Sequence, residues 1–198
     1  FKWKPSKYNT IDFLVSFQNN TDGSALVKTM FETGFSNTKV NQLTQYITAV
    51  LRVGFDEKKH GYVNPCQLIL EPQNIIKDSI NKSDVLGSSN YRPVQFYPTN
   101  PSDDDAGIVN LLLKDSVNGN KIATTIEGEV IENNMIVEFS YDASKKKHWR
   151  WQPLRVRYDK TAELRAGQKN YGNAYHVANS NWHSINHPIT EEMLSTGE

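Results

Sequence analysis

Residues 154–160, Leu154-Arg155-Val156-Arg157-Tyr158-Asp159-Lys160, alternate apolar and charged side chains. On an extended backbone, successive side chains point to opposite faces. One face would anchor Leu154, Val156 and Tyr158, while the guanidiniums of Arg155 and Arg157 project together. Arginine forks match phosphate oxygens two at a time, and Asp159 is placed to orient one of them. A surface strand with an incidental Arg–Asp pair would carry the same pattern. The chain opens with a second cationic pair, Phe1-Lys2-Trp3-Lys4-Pro5. Lys2 and Lys4 share one face of an extended segment and Trp3 takes the other. Their ammoniums, about 7 Å apart at two residues along a strand, can grip one phosphate group. A solvated strand end reads the same way.

The elements that must position these groups are mostly strands. Apolar runs are short and alternating. Thr10 to Gln18 predicts a strand with Ile11, Phe13, Val15 and Phe17 on one face. Gln45 to Phe55 and Ile108 to Leu113 predict two more. Thr125 to Ile131 and Met135 to Tyr141, flanking Glu132-Asn133-Asn134, predict a hairpin. Residues 24–33, followed by Gly34, predict a short helix. Prolines punctuate the middle, so 77–105 reads as loop. Asn170 to Asn186, rich in Asn, His and aromatics, has no clear period and reads as linker. Several short strands with one or two helices fit a small all-β domain, either a sandwich or a Greek-key barrel of the OB type.

Composition narrows the partners. The 198 residues carry 22 basic and 22 acidic side chains, so net charge argues neither for nor against nucleic acid. The distribution is uneven: residues 145–169 hold nine Lys or Arg against two acidic residues. A solvated basic loop accounts equally well for Lys145 to Lys147. One cysteine excludes an internal disulfide. No run approaches the roughly 18 apolar residues of a membrane span, and no signal-peptide pattern is present. The expectation is a cytosolic domain with no membrane partner.

The two cationic stretches together resemble a known family. FKWKPSKYNTIDF resembles motif V of the covalent nucleotidyltransferases, in the form found in viral mRNA guanylyltransferases. WRWQPLRVRYDK resembles their motif VI. The pair stands in the family's order, with Asn9-Thr10-Ile11-Asp12-Phe13 after the lysines, and EGEVIENNMIVEFSYD resembles the strands before motif VI. The tail from Asn170 resembles the segment joining guanylyltransferase to cap methyltransferase in the multifunctional capping enzymes of large DNA viruses. The resemblance covers both ends of the chain well and residues 19–120 poorly.

It implies a five-stranded OB barrel over 1–165, with a loop-rich insertion around 19–120 and a linker over 166–198. The OB domain would be the lid of an enzyme that moves GMP from GTP to the diphosphate end of RNA through a lysyl-GMP intermediate. Lys2 and Lys4 would contact the α-phosphate, and Arg157 and Lys160 the β- and γ-phosphates, with Asp159 between them and Arg155 as helper. Asp12 matches a family acidic position, with a role through a metal-bound water as one reading. GTP would be the substrate and Mg2+ or Mn2+ the ion of the complete enzyme. Partners would be a nucleotidyltransferase domain upstream, a methyltransferase domain downstream and the 5′ end of RNA. The location would be the cytoplasmic viral factory or the virion.

One departure bears on activity. The family's nucleophile is the lysine of Lys-x-Asp-Gly, and the near match here is Asn20-Thr21-Asp22-Gly23. An amide cannot replace that amine, so the chain alone is not expected to transfer GMP. Rival readings are a non-catalytic OB module that docks RNA or a neighbouring domain, a metal-dependent triphosphatase suggested by Glu127 and Glu129, and a zinc site at His176, His183 and His187. Pro188 argues against a helix that would align His183 with His187. Trp149, Trp151 and Trp182 are candidates to stack RNA bases or to fill the core. Core is favoured for Trp149, and Trp151 is left open.

Overall fold

Alternation in Thr10–Phe17 (β1) sends Ile11, Phe13 and Val15 into the interior without exposed surface. A computed structural model of the protein describes residues 8–32, 42–56, 91–189 and 192–193. Among these, the remaining strands are Val27–Glu32 (β2), Gln42–Phe55 (β3), Arg92–Gln95 (β4), Ile108–Asp115 (β5), Lys121–Thr124 (β6), Val130–Ile131 (β7), Met135–Tyr141 (β8) and Trp151–Val156 (β9). Two helices follow, Tyr158–Arg165 (α1) and Tyr175–Asn186 (α2). Lys2 and Lys4 lie outside the described residues.

The strands join in the order β7-β6-β5-β3-β1-β8-β9, and β2 and β4 also pair with β3. β5-β3-β1-β8-β9 is the strand order of an OB barrel. The ends of this path nearly meet. The Ile126 N–H donates to the Pro153 carbonyl at 2.9 Å, and the Val156 N–H donates to Glu129 Oε2 at 2.7 Å. These bonds tie the β6–β7 turn to β9. The protein is mainly β, an OB-type barrel with two short helices.

Several expectations need correction. Residues 24–33 do not form a helix: Val27–Glu32 pairs antiparallel with β3, in register Val27↔Ile47. Six residues satisfy either period, and pairing with a long strand decides. Thr125 to Ile131 and Met135 to Tyr141 do not form a hairpin. β7 pairs with β6, whereas β8 pairs with β1 and β9. Asn134, at φ 62, turns the chain from one to the other. Within the 77–105 stretch read as loop, Arg92–Gln95 is a strand. The 19–120 segment is not a mere insertion, since it supplies β3 and β5.

The tail is not a free linker. Tyr175, Ala178 and Trp182 of α2 belong to the same hydrophobic core as Phe13, Phe96 and Trp151. Trp182 and Trp151 lie 6.0 Å apart between ring centroids, and Tyr141 stands edge-on to both. Each indole N–H is satisfied, Trp151 donating to the Ala106 carbonyl and Trp182 to that of Pro101. Asn-rich polarity hid this helix because only three of its twelve residues are buried. Trp182→Ala should therefore cost about 3–5 kcal/mol of folding stability, measured by denaturant unfolding. A cost near zero would restore the linker reading.

Candidate functional site

Charged side chains from three elements meet where β1, β8 and α1 converge. β9 ends at Val156, and the next residue caps α1. The Arg157 N–H donates to the Ile136 carbonyl at 2.8 Å, pinning the cap to β8. Thr161, one turn on, is buried and accepts the Ile136 N–H on its hydroxyl at 3.0 Å. Helix side chains three apart are neighbours, so Arg157 and Lys160 aim at one place. That place is Asp12. Its Oδ2 accepts from Arg157 Nη1 at 2.5 Å and from Lys160 Nζ at 2.7 Å. Asp12 is buried, and both cations are about three-quarters buried (24% and 23% side-chain exposure).

Asp159 grips Arg157 from the solvent side, accepting from Nε at 3.2 Å and from Nη2 at 3.0 Å. This pairing raises the Arg157 pKa further, with Asp12 adding to it against partial burial. The same fork holds the Asp159 carboxyl below its usual range. Two cations at a helix N-terminus oppose the helix dipole. Two carboxylates, Asp12 and Asp159, offset them.

Asp12 is itself held at its backbone. Its N–H donates to Asn173 Oδ1 and its carbonyl accepts from the Asn173 N–H, both at 2.8 Å. Gly172 makes this approach possible: φ is +84°, and a Cβ there would lie 2.4 Å from the Asp12 carbonyl oxygen. Arg155 stands apart from the Asp12 cluster. It is exposed and donates through Nε to Glu138 Oε2 at 2.5 Å. Thr10 donates to the other Glu138 oxygen at 2.6 Å. Tyr158 is also not where the alternation put it: it is 56% exposed in α1, because the strand has already ended.

The structure thus brings Arg157, Asp159, Lys160 and Asp12 together and leaves Arg155 beside them. Asp12 is occupied as the shared acceptor of Arg157 and Lys160. Its Oδ2 is shared by two cations, which repel a third. Among the described residues, no group of three or more His, Asp, Glu or Cys side chains is arranged to hold a metal. Sequence reasoning missed Glu138, Thr10 and Asn173. A lone acid within Met135-Ile136-Val137-Glu138-Phe139 was the available signal for Glu138, and the Gly172-Asn173 turn pair for Asn173.

Of the rival acidic pair, Glu129 has a structural role. Glu129 accepts the Val156 N–H and closes the barrel, and its own N–H bonds Thr125 Oγ1 at 3.1 Å. α2 does bring His183 and His187 together, with rings stacked at 4.7 Å, since Pro188 falls after the helix has ended. The tryptophans exchange places: Trp151 is core, and Trp149 is half-buried against Tyr46.

Residues 107–195 match the family described as mRNA capping enzyme, C-terminal domain. Across 99% of this chain, 30% of residues are identical to the "Probable mRNA-capping enzyme" of Acanthamoeba polyphaga mimivirus. The chain carries an mRNA capping enzyme C-terminal domain. It spans 13% of that viral relative's length. No solved structure matches it. In this capping-enzyme domain, the family match includes β5, β6 to β9, α1 and α2, so α2 falls within the matched domain. No described helix is long and apolar enough to cross a membrane.

Two measurements check the geometry. Gly172→Ala should lower stability by more than about 1 kcal/mol, read from the unfolding midpoint, because its Cβ meets β1 backbone. An unchanged midpoint contradicts that close approach. Burial pushes the Glu138 carboxyl up, but Thr10 and Arg155 outweigh it and the net shift is downward. Glu138 therefore stabilises the fold fully above its unfolded pKa of about 4.3, and loses this as pH falls through the lower folded value. Glu138→Gln should flatten that part of the acid-unfolding curve. A curve that keeps the wild-type slope contradicts the pairing.

Proposed function

We propose that this domain is the lid of an mRNA 5′-guanylyltransferase, closing over GTP on a neighbouring nucleotidyltransferase domain. The observation that carries the reading is the convergence of Arg157 and Lys160 on the single carboxylate of Asp12. A site that already gathers two cations around one oxyanion is preorganised for another. In the closed state, β- and γ-phosphate oxygens would take the place of the Asp12 oxygen, and Asp159 would keep the Arg157 fork oriented. Asp12 is then a resting counter-ion that prevents two buried cations from repelling each other while the lid is open.

The chemistry follows from charge. A lysine of the partner domain attacks the α-phosphorus of GTP, forming lysyl-GMP, and the bond to the β-phosphate oxygen breaks with release of pyrophosphate. Cations on the leaving group stabilise its developing charge. The assignment of Lys2 and Lys4 to the α-phosphate rests on the motif resemblance. A divalent ion would neutralise phosphate charge, but Asp12 does not suit it as a ligand, and no step on this domain depends on it. Reopening releases pyrophosphate and admits the RNA end, a gating motion. Capping as the activity of the whole protein fits the viral relative's printed name.

The test joins this chain to a nucleotidyltransferase domain bearing the lysine, with GTP and Mg2+. Arg157→Ala or Lys160→Ala should each reduce lysyl-GMP labelling by about a hundredfold or more, in line with loss of an electrostatic catalytic group. Normal labelling with weaker RNA retention would instead support a binding module without nucleotide chemistry.

A further inference from the structure

Trp151 and Trp182 are packed in the core with their indole N–H groups bonded to carbonyls. Trp149 differs. It is half-buried and, among the described residues, its indole N–H has no acceptor. It leans on Tyr46, 5.4 Å between centroids at 62°, and the Tyr46 hydroxyl is likewise without a partner. Two large rings with idle polar handles sit on the outer face of the barrel, since the neighbours of Tyr46 along β3 include buried Ile47 and Ala49 on the inner face.

The surroundings are cationic and polar. Lys28 stands directly across from Tyr46 in the β2–β3 register. Its described partners are the neutral Gln18 and Thr48, at 3.3 and 3.1 Å, so its charge is not cancelled. Thr48 in turn donates to Asn110 Oδ1 at 2.8 Å, and among the described residues the Asn110 amide N–H groups have no acceptor. On the other flank the turn Lys146–Trp149 closes with the Trp149 N–H on the Lys146 carbonyl at 2.9 Å, and Lys146 is exposed. Lys147 is already matched to Asp105.

We infer that the outer face of β3 and β5, centred on Tyr46 and Trp149, is a docking surface for single-stranded RNA. Aromatic faces that accept stacked bases, with flanking ammoniums for the backbone, are the recurring composition of single-strand sites. On OB barrels such ligands favour the face of the second and third barrel strands, which here are β3 and β5. The choice of RNA over DNA rests on the proposed capping role. The surface is separate from the Arg157–Lys160 cluster: Trp149 precedes β9 and Arg157 follows it, on the order of 25 Å along an extended strand. It would therefore hold nucleotides downstream of the 5′ end.

The experiment uses the 198-residue chain with a fluorescein-labelled single-stranded oligouridylate, followed by anisotropy. Tyr46→Ala and Trp149→Ala should each weaken binding about 5- to 100-fold, the range of one lost base–aromatic stack, and Trp149→Phe should retain most of it. Lys146→Ala should lower the salt slope by about 0.7. Photo-crosslinking of a 4-thiouridine RNA to the unmutated chain should label the peptides containing Tyr46 or Trp149, which guards against a variant that merely misfolds. Wild-type affinity in both alanine variants, equal competition by an RNA duplex, or crosslinks confined to other peptides would overturn the inference. Lysyl-GMP labelling without RNA should be unchanged in these variants, so failure here is distinguishable from failure of the lid reading.

Discussion

One carboxylate organises this domain. Asp12 sits buried at the start of β1 with Arg157 and Lys160 both on its Oδ2. Without it, two partly buried cations would face each other across a few ångströms in a low-dielectric setting, which costs more than the same pair in water. The need to hold that carboxylate still explains features otherwise unconnected. Gly172 and Asn173 clamp its backbone, and Thr161 and the Arg157 N–H pin the opposing helix to β8. The site joins residues 145 and 148 positions apart in the chain. The pairing of β8 with both β1 and β9 brings them together.

That arrangement also links the core to the chemistry. α2 packs Trp182 and Ala178 under the sheet. The segment that leads into it is the one that clamps Asp12. Loosening the aromatic core would therefore disturb the ion cluster as well as the fold. The proposed lid role asks for movement as a unit, which a rigid barrel with its cations fixed at one corner suits better than charges on a flexible loop.

The sequence disclosed the strands through their period. Alternation in Ile11, Phe13 and Val15 is unambiguous, and so is the long apolar run of β3. Residues 24–33 were too few to separate a helix from a strand, and the partner that decided it lies beyond their own window. The expected hairpin around Asn133-Asn134 had the right turn residues but the wrong consequence, because each flanking strand found a longer partner elsewhere. Trp149-Arg150-Trp151 shows the limit of period-two reasoning. Two tryptophans two apart should share a face, yet β9 begins only at Trp151, so Trp149 belongs to the preceding turn and points elsewhere. At the site, Arg157, Asp159 and Lys160 were legible as a local motif. The ion pairs of Asp12 and the Glu138–Arg155 pair were not, because they depend on which strands become neighbours.

The central claim is that phosphate oxygens can take the place of the Asp12 carboxylate on Arg157 and Lys160. The most direct measurement follows the arginine Nε–H resonances of the labelled chain by NMR during titration with tripolyphosphate. The account predicts a saturable shift of the Arg157 resonance while Arg165, held by Glu132 on the exposed side of α1, stays in place. An Arg157 resonance that does not move, or moves no more than that of Arg165, would contradict it.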